Sequence, residues 1–185
     1  VKCVADLPGV GQNLCDHPAL GVLCDVQAPA VVDFDQPIIQ TILRYTANNS
    51  EKRNDLQIEQ ISFAGRPGGP AQFLLAPVLE YQFGRGELTL ASADPHAAPV
   101  VSNRFCEDAR DARRLAECML DTLAFTRAGA LSEMVTHVRF PDPSRGQSLE
   151  ELEVLCRRFA GSGYHPCGTA KMGRENDEMA VVDSR

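Results

Sequence analysis

Ser148-Leu149-Glu150-Glu151-Leu152-Glu153-Val154-Leu155-Cys156-Arg157-Arg158-Phe159-Ala160-Gly161-Ser162-Gly163-Tyr164-His165-Pro166-Cys167-Gly168-Thr169-Ala170 joins two kinds of sequence in one stretch. Its first part reads as a helix with a marked start, because Ser148 followed three residues later by Glu151 makes a capping box. Leu149, Leu152, Leu155, Cys156 and Phe159 recur at helical spacing, and Gly161 ends the run. From Gly161 to Ala170 the chain is a glycine-rich loop of unusual composition, and loops held by a packed scaffold are where function concentrates.

Upstream, Ala112, Leu115, Ala116, Met119, Leu123 and Ala124 mark a second helix from about Asp108 to Ala128, with Gly129 placed to stop it. Leu20 to Val26 reads as a strand entered through Pro18. Pro37 to Tyr45 reads as a helix, since Pro37 suits a first helical position and Ile38, Ile39, Ile42 and Leu43 share a helical face. Leu56 to Phe63 alternates and then slips phase at Gln60-Ile61, the pattern of a strand with a bulge. A loop at Gly65-Arg66-Pro67-Gly68-Gly69-Pro70 leads into Phe73 to Tyr81, which Pro77 marks as an edge or bulged strand. That run and Glu87-Leu88-Thr89-Leu90 read together as a hairpin turned at Gly84-Arg85-Gly86. The chain is thus of mixed α and β character, and no repeat or low-complexity tract interrupts it.

The 185 residues are enough for one domain with a core. A formal net charge of −7 argues against nucleic acid, whose affinity comes largely from neutralised phosphates. No apolar run is long enough to span a bilayer. Cys3, Cys15, Cys24, Cys106, Cys118, Cys156 and Cys167 include no C-x-x-C pair, and they read as reduced thiols of a cytoplasmic protein. The chain begins at Val1, without the pattern of a signal peptide, and reads as a portion of something longer.

His165 is the first candidate for chemistry. Pro166 biases it toward extended backbone, the flanking glycines let another surface approach, and an imidazole titrates where a general base should. The plainer reading is a loop histidine bonded to nearby backbone. Cys15-Asp16-His17 and His165-Pro166-Cys167 each put a thiol near an imidazole, but neither has the paired spacing of a zinc site, and no metal site is expected. His96 and His137 receive no role. Gly9-Val10-Gly11-Gln12-Asn13-Leu14 begins like G-x-G-x-x-G and has Leu14 where the last glycine belongs, so it fails as a dinucleotide fingerprint.

Three segments carry a resemblance. Asp6-Leu7-Pro8-Gly9-Val10-Gly11-Gln12-Asn13-Leu14-Cys15-Asp16-His17-Pro18 and Tyr164-His165-Pro166-Cys167-Gly168-Thr169-Ala170-Lys171-Met172-Gly173 resemble two motifs of the glucose–methanol–choline (GMC) oxidoreductases. Gly84-Arg85-Gly86-Glu87-Leu88-Thr89-Leu90 with Ser92-Ala93-Asp94-Pro95 looks like a third. The resemblance is to the substrate-domain portion of that family, of choline dehydrogenase-like type, and covers essentially residues 1–185. It implies an α+β fold with a mostly antiparallel sheet and helices on one face.

It also implies FAD as cofactor, a small-molecule alcohol as substrate, and His165 as the base that helps remove the hydroxyl proton while hydride moves to flavin N5. Asn13, Asp16, His17, Gly168 and Thr169 are the implied cofactor-site residues. The family's FAD-binding domain and its second catalytic residue are not in this sequence, so the chain alone is expected to be inactive and to retain FAD poorly. A flavin-dependent lyase on the same scaffold and a binding module without chemistry are the rival readings.

Overall fold

The computed structural model describes residues 5–27, 34–64, 68–144 and 148–185. Among these, the elements run β1 (Pro18–Ala19), β2 (Val22–Val26), β3 (Ile39–Tyr45), β4 (Leu56–Ile61), β5 (Gln72–Leu79), β6 (Glu87–Thr89), β7 (Val100–Ser102), α1 (Ala109–Phe125), α2 (Gly129–Met134), β8 (Val135–Phe140), α3 (Leu149–Phe159) and β9 (Gly161–Ser162). The main sheet has the order β3-β4-β5-β1-β9, with β2 pairing both β5 and β8, and its pairings are antiparallel. β6 and β7 form a separate two-stranded ribbon.

Strand alternation divides the sheet into two apolar faces. Leu56, Ile58, Phe73, Leu75 and Leu79 are buried together with Ala112, Leu115, Ala116, Met119 and Leu123 of α1. α3 adds Leu152 and Cys156 to the same cluster, the Cys156 thiol lying 3.6 Å from the Met119 sulfur. Each large apolar side chain buried here contributes about 1.5–3 kcal/mol. Residues of the other phase, among them Gln57, Glu59, Leu74, Ala76 and Val78, floor a pocket on the opposite face. This is the α+β arrangement with helices on one face.

α1 and α3 start as their sequences indicate. Asp108 caps α1 by accepting from the Arg110 amide, and Ser148 and Glu151 complete the capping box of α3. Asp111, in the first turn of α1, accepts from the amides of Phe83 and Gly84, both at 2.8 Å, and so ties the turn before β6 to the helix.

Several readings are corrected. Residues 39–45 form a strand rather than a helix: Ile39, Thr41 and Ile42 are β-branched, and the segment gains a ladder with β4, whereas a helical stripe here would meet no core. Ile42 is 52% exposed and Leu43 44%. The phase slip at Gln60-Ile61 is matched by a register shift in which Gln40 of β3 is the extra residue. β5 is a central strand. Its Pro77 carbonyl accepts from Leu20 across the gap between β1 and β2, and the missing N–H faces that same gap, so no ladder bond is lost.

β5 and β6 do not form a hairpin either, because β6 takes β7 as its partner. α1 ends at Phe125, and Gly129, at φ +52°, opens α2 instead of stopping α1. Residues 65–67 of the glycine- and proline-rich loop lie outside the described residues.

Candidate active site

Two segments far apart in sequence are joined by backbone hydrogen bonds. Cys15 and Cys167 exchange N–H···O bonds of 2.8 Å, Gly11 donates to Thr169 O at 2.9 Å, and β1 pairs with β9 through Pro18↔Ser162 and Ala19↔Gly161. On its other side the same segment bonds Gly86 through Leu14, and Leu88 through Gly11. All three familiar motifs therefore meet along residues 11–19.

Asp16 is the hub. Its carboxylate is 4% exposed and accepts from the His17 amide at 2.7 Å, the His165 amide at 2.9 Å and the Ser162 hydroxyl at 2.5 Å. Hydrogen bonds to a charged acceptor are worth about 1.5–3 kcal/mol each, so this one carboxylate fixes the backbone on both sides of the junction. Gln82 Oε1 accepts from the Asp16 amide at 3.1 Å.

The rings of His17 and His165 stack with centroids 4.6 Å apart and planes inclined by 19°. His165 Nδ1 lies 2.6 Å from Gly163 O. A carbonyl only accepts, so Nδ1 carries a hydrogen, and in the neutral ring the lone pair is then on Nε2. His17 Nδ1 is 3.7 Å from Glu80 Oε1, and Glu80 also pairs with Arg44.

Glycine is required at two points of this loop. A Cβ on Gly163 would stand 2.7 Å from His17 O, and one on Gly168, at φ +93°, would stand 2.3 Å from Asn13 O. The Asn13 amide donates to Gly168 O at 3.2 Å, and its oxygen accepts from Arg85 Nε at 3.1 Å. Arg85 Nη1 also reaches the carbonyls of Gln82, Phe83 and Gly84. Asn13, Asp16, His17, His165, Gly168 and Thr169 are thus all brought to one junction.

The pocket beside it, about 190 Å³, is walled by Ala19, Leu20, Ile61, Leu74, Ala76 and Val78, with His17, Tyr164 and His165 at its loop side. Gln57 and Glu59 supply its polar floor, the Gln57 amide donating to Glu59 Oε1 at 2.7 Å. A larger cavity of about 460 Å³ around Arg127, Ser132 and His137 does not include the junction. Sequence reasoning missed Ser162, Glu59 and Glu80. Glu59 was legible only as the polar phase of an alternating strand, and Ser162 as a hydroxyl three residues before the histidine.

A second cavity of about 150 Å³ is lined by Cys15, Asp16, His17, Gln82, Arg85 and His165, among others. The buried Gln82 Nε2 has no partner among the described residues. Gln82 lines this cavity, and a donor left over there would suit a bound group that offers acceptors, as a flavin does. No group of His, Cys, Asp and Glu able to hold a metal occurs among the described residues.

Comparison with known proteins gives one consistent answer. A family profile described as GMC oxidoreductase matches residues 83–185. The oxygen-dependent choline dehydrogenase 1 of Chromohalobacter salexigens is 28% identical over 210 residues, spanning 99% of this chain and 37% of its own length. The oxygen-dependent choline dehydrogenase of Rhizobium johnstonii is 38% identical over 102 residues, 54% of this chain and 18% of its own.

Among solved structures, pyridoxine 4-oxidase from Mesorbium loti superposes with a TM-score of 0.81 at 19% identity, covering 100% of this chain and 37% of that one. Formate oxidase from Aspergillus oryzae superposes with a TM-score of 0.78 at 15% identity, covering 92% of this chain and 39% of that one. The chain spans well under half the length of these relatives. With the profile covering more than half of its residues, and with the motif segments meeting at one junction, the chain belongs to the GMC oxidoreductase family.

Proposed function

We propose that this chain is the substrate-domain portion of an FAD-dependent oxidoreductase that oxidises a small alcohol, with His165 as the base. The observation that carries the reading is the 2.6 Å contact of His165 Nδ1 with Gly163 O, which leaves Nε2 free to take a hydroxyl proton at the edge of an apolar pocket. FAD, when bound, supplies a two-electron acceptor for the alcohol carbon. The chain's own part is to admit the alcohol between β4, β5 and the loop, to hold its hydroxyl at His165 Nε2, and to keep that ring in one orientation.

Asp16 orients His165 through the backbone, and His17 supports it by stacking. Gly168, Thr169 and His17 would meet the cofactor, while Asn13 and Asp16 are engaged in building the surface it meets. The FAD-binding domain is the partner this reading requires. The six described cysteines are free thiols, which supports a cytoplasmic setting.

The substrate class follows from the floor of the pocket. Glu59 is the one carboxylate among its described lining residues, and no Lys or Arg lines it. An anionic floor suits an alcohol that carries a positive charge, in keeping with the relatives named as choline dehydrogenases.

The test uses an enzyme containing this chain together with its FAD-binding domain. His165→Ala is expected to lower turnover about 10²–10⁴-fold, the usual contribution of a general base, with flavin absorbance retained. Near-normal turnover would overturn the assignment. Anaerobic addition of substrate is expected to bleach the flavin absorbance; product formed without bleaching would favour the lyase.

A further inference from the structure

Cys15 and Cys167 face each other across the bridge that joins the two segments. Because each donates its N–H to the other's carbonyl, both at 2.8 Å, they form a hydrogen-bonded antiparallel pair. Such pairs hold their Cα atoms about 5.5 Å apart, inside the range of about 4.4–6.8 Å that a disulfide spans. His17 follows Cys15 by two residues and His165 precedes Cys167 by two, matching offsets on the two sides of an antiparallel bridge, and strand side chains repeat with a period of two. The thiols and the stacked imidazoles therefore stand on one face, and all four residues line the cavity of about 150 Å³.

The two thiols also sense each other. Burial raises the pKa of Cys15, the Arg85 guanidinium opposes it, and the neighbouring Cys167 thiol raises it further. Access separates this pair from the other described cysteines. Cys167 is exposed and Cys15 half-buried, whereas Cys24, Cys106, Cys118 and Cys156 are buried. Buried structural thiols are inert, and exposed ones meet oxidant first.

We propose that Cys15 and Cys167 form a reversible, peroxide-driven disulfide that locks the segment carrying His17 to the loop carrying His165. The Cys167 thiolate attacks one oxygen of hydrogen peroxide. The O–O bond breaks, leaving a sulfenic acid on Cys167 and a hydroxide that takes up the thiol's proton to become water. The Cys15 thiolate then attacks the Cys167 sulfur, and the second oxygen leaves as hydroxide and is protonated to a second water. Two thiols and one peroxide thus give one disulfide and two waters, the two electrons passing from sulfur to peroxide. A thiol reductant returns those electrons and reopens the pair.

Mass spectrometry of the full chain tests this without reference to any flavin activity. After equimolar peroxide and alkylation under denaturing conditions, the wild-type chain is expected to take up two fewer alkyl groups than before oxidation. Its digest should contain a Cys15 peptide joined to a Cys167 peptide, and dithiothreitol should restore both sites. With peroxide in at least twofold excess, oxidation of Cys167 in Cys15→Ser is expected to run on through two successive peroxides to sulfinic acid, a gain of about 32 Da; in Cys167→Ser, Cys15 is expected to alkylate in full. Wild-type Cys167 passing to sulfinic acid without a cross-link would overturn the proposal. So would a cross-link that maps to other cysteines, or one that persists undiminished in either variant.

Discussion

His165 is oriented through both its backbone and its ring: the Asp16 carboxylate holds its amide, Gly163 O holds Nδ1, and the His17 ring stacks on it. The residues that do this were legible to different degrees. Asp16, His17 and His165 stand inside long motifs, and glycine at 163 and 168 follows from the close approach of His17 and Asn13. Glu59 was not legible, because alternation separates the two faces of a strand without saying which loop closes over either of them. Its place in the pocket supports a prediction about specificity. In the two-domain enzyme, Glu59→Gln is expected to raise KM for a quaternary-ammonium alcohol about tenfold, ~1.4 kcal/mol, and to leave KM for an uncharged alcohol of similar size unchanged. Steady-state kinetics with both substrates decide it, since an equal rise for both would assign Glu59 to pocket shape and not to charge.

At the scale of elements, local signals succeeded where a motif is chemically complete and failed where the partner decides. The capping box of α3 and the Asp108 cap of α1 are side-chain-to-amide bonds within one turn, so the sequence contains both halves of each. The strand at 39–45 and the central placement of β5 depend on ladders with distant segments, and neither Ile38-Ile39 nor Pro77 shows which neighbour it will meet. The ribbon partner of β6, at Val100–Ser102, lies beyond a turn that propensity alone does not connect. Asp108 gives a test at this scale. Its hydrogen bond and ion pair with Arg110 hold its pKa down to about 2, below the ordinary carboxylate value. A depressed carboxylate stabilises the fold above the unfolded-state pKa of about 3.9 and loses that contribution as pH falls through the folded value. Asp108→Ala is therefore expected to cost about 1 kcal/mol at pH 7, with the difference from wild type shrinking between about pH 4 and pH 2. Urea unfolding at pH 7, 4 and 2.5 measures it, and a difference that stays constant with pH would mean that the carboxylate's charge contributes nothing to the cap.

For the whole molecule, the informative feature is apolar surface that the chain does not bury. Leu90 is 82% exposed, Val10 59%, Val101 51%, Met172 62% and Val182 46%. These residues belong to connected segments: Leu88 of the ribbon bonds Gly11, Gly9 packs against Met179 and Val181, and Met172 bridges to Val182. Scattered exposed apolar residues are ordinary, but a connected group of this kind marks a surface that another body covers. The relatives are more than twice as long as the stretch matched here, and the FAD-binding domain proposed above is the body expected to cover this face. If so, these side chains should matter little to the chain alone and much to the two-domain enzyme. Leu90→Gln combined with Val101→Thr is expected to change the unfolding free energy of the chain by no more than about 0.5 kcal/mol and to reduce its binding of a hydrophobic dye. In the two-domain enzyme the same pair should weaken flavin retention, read as the fraction of FAD surviving gel filtration. A loss of more than about 2 kcal/mol in the chain alone would place Leu90 and Val101 in its own core packing, and undiminished flavin retention would remove this face from the domain contact.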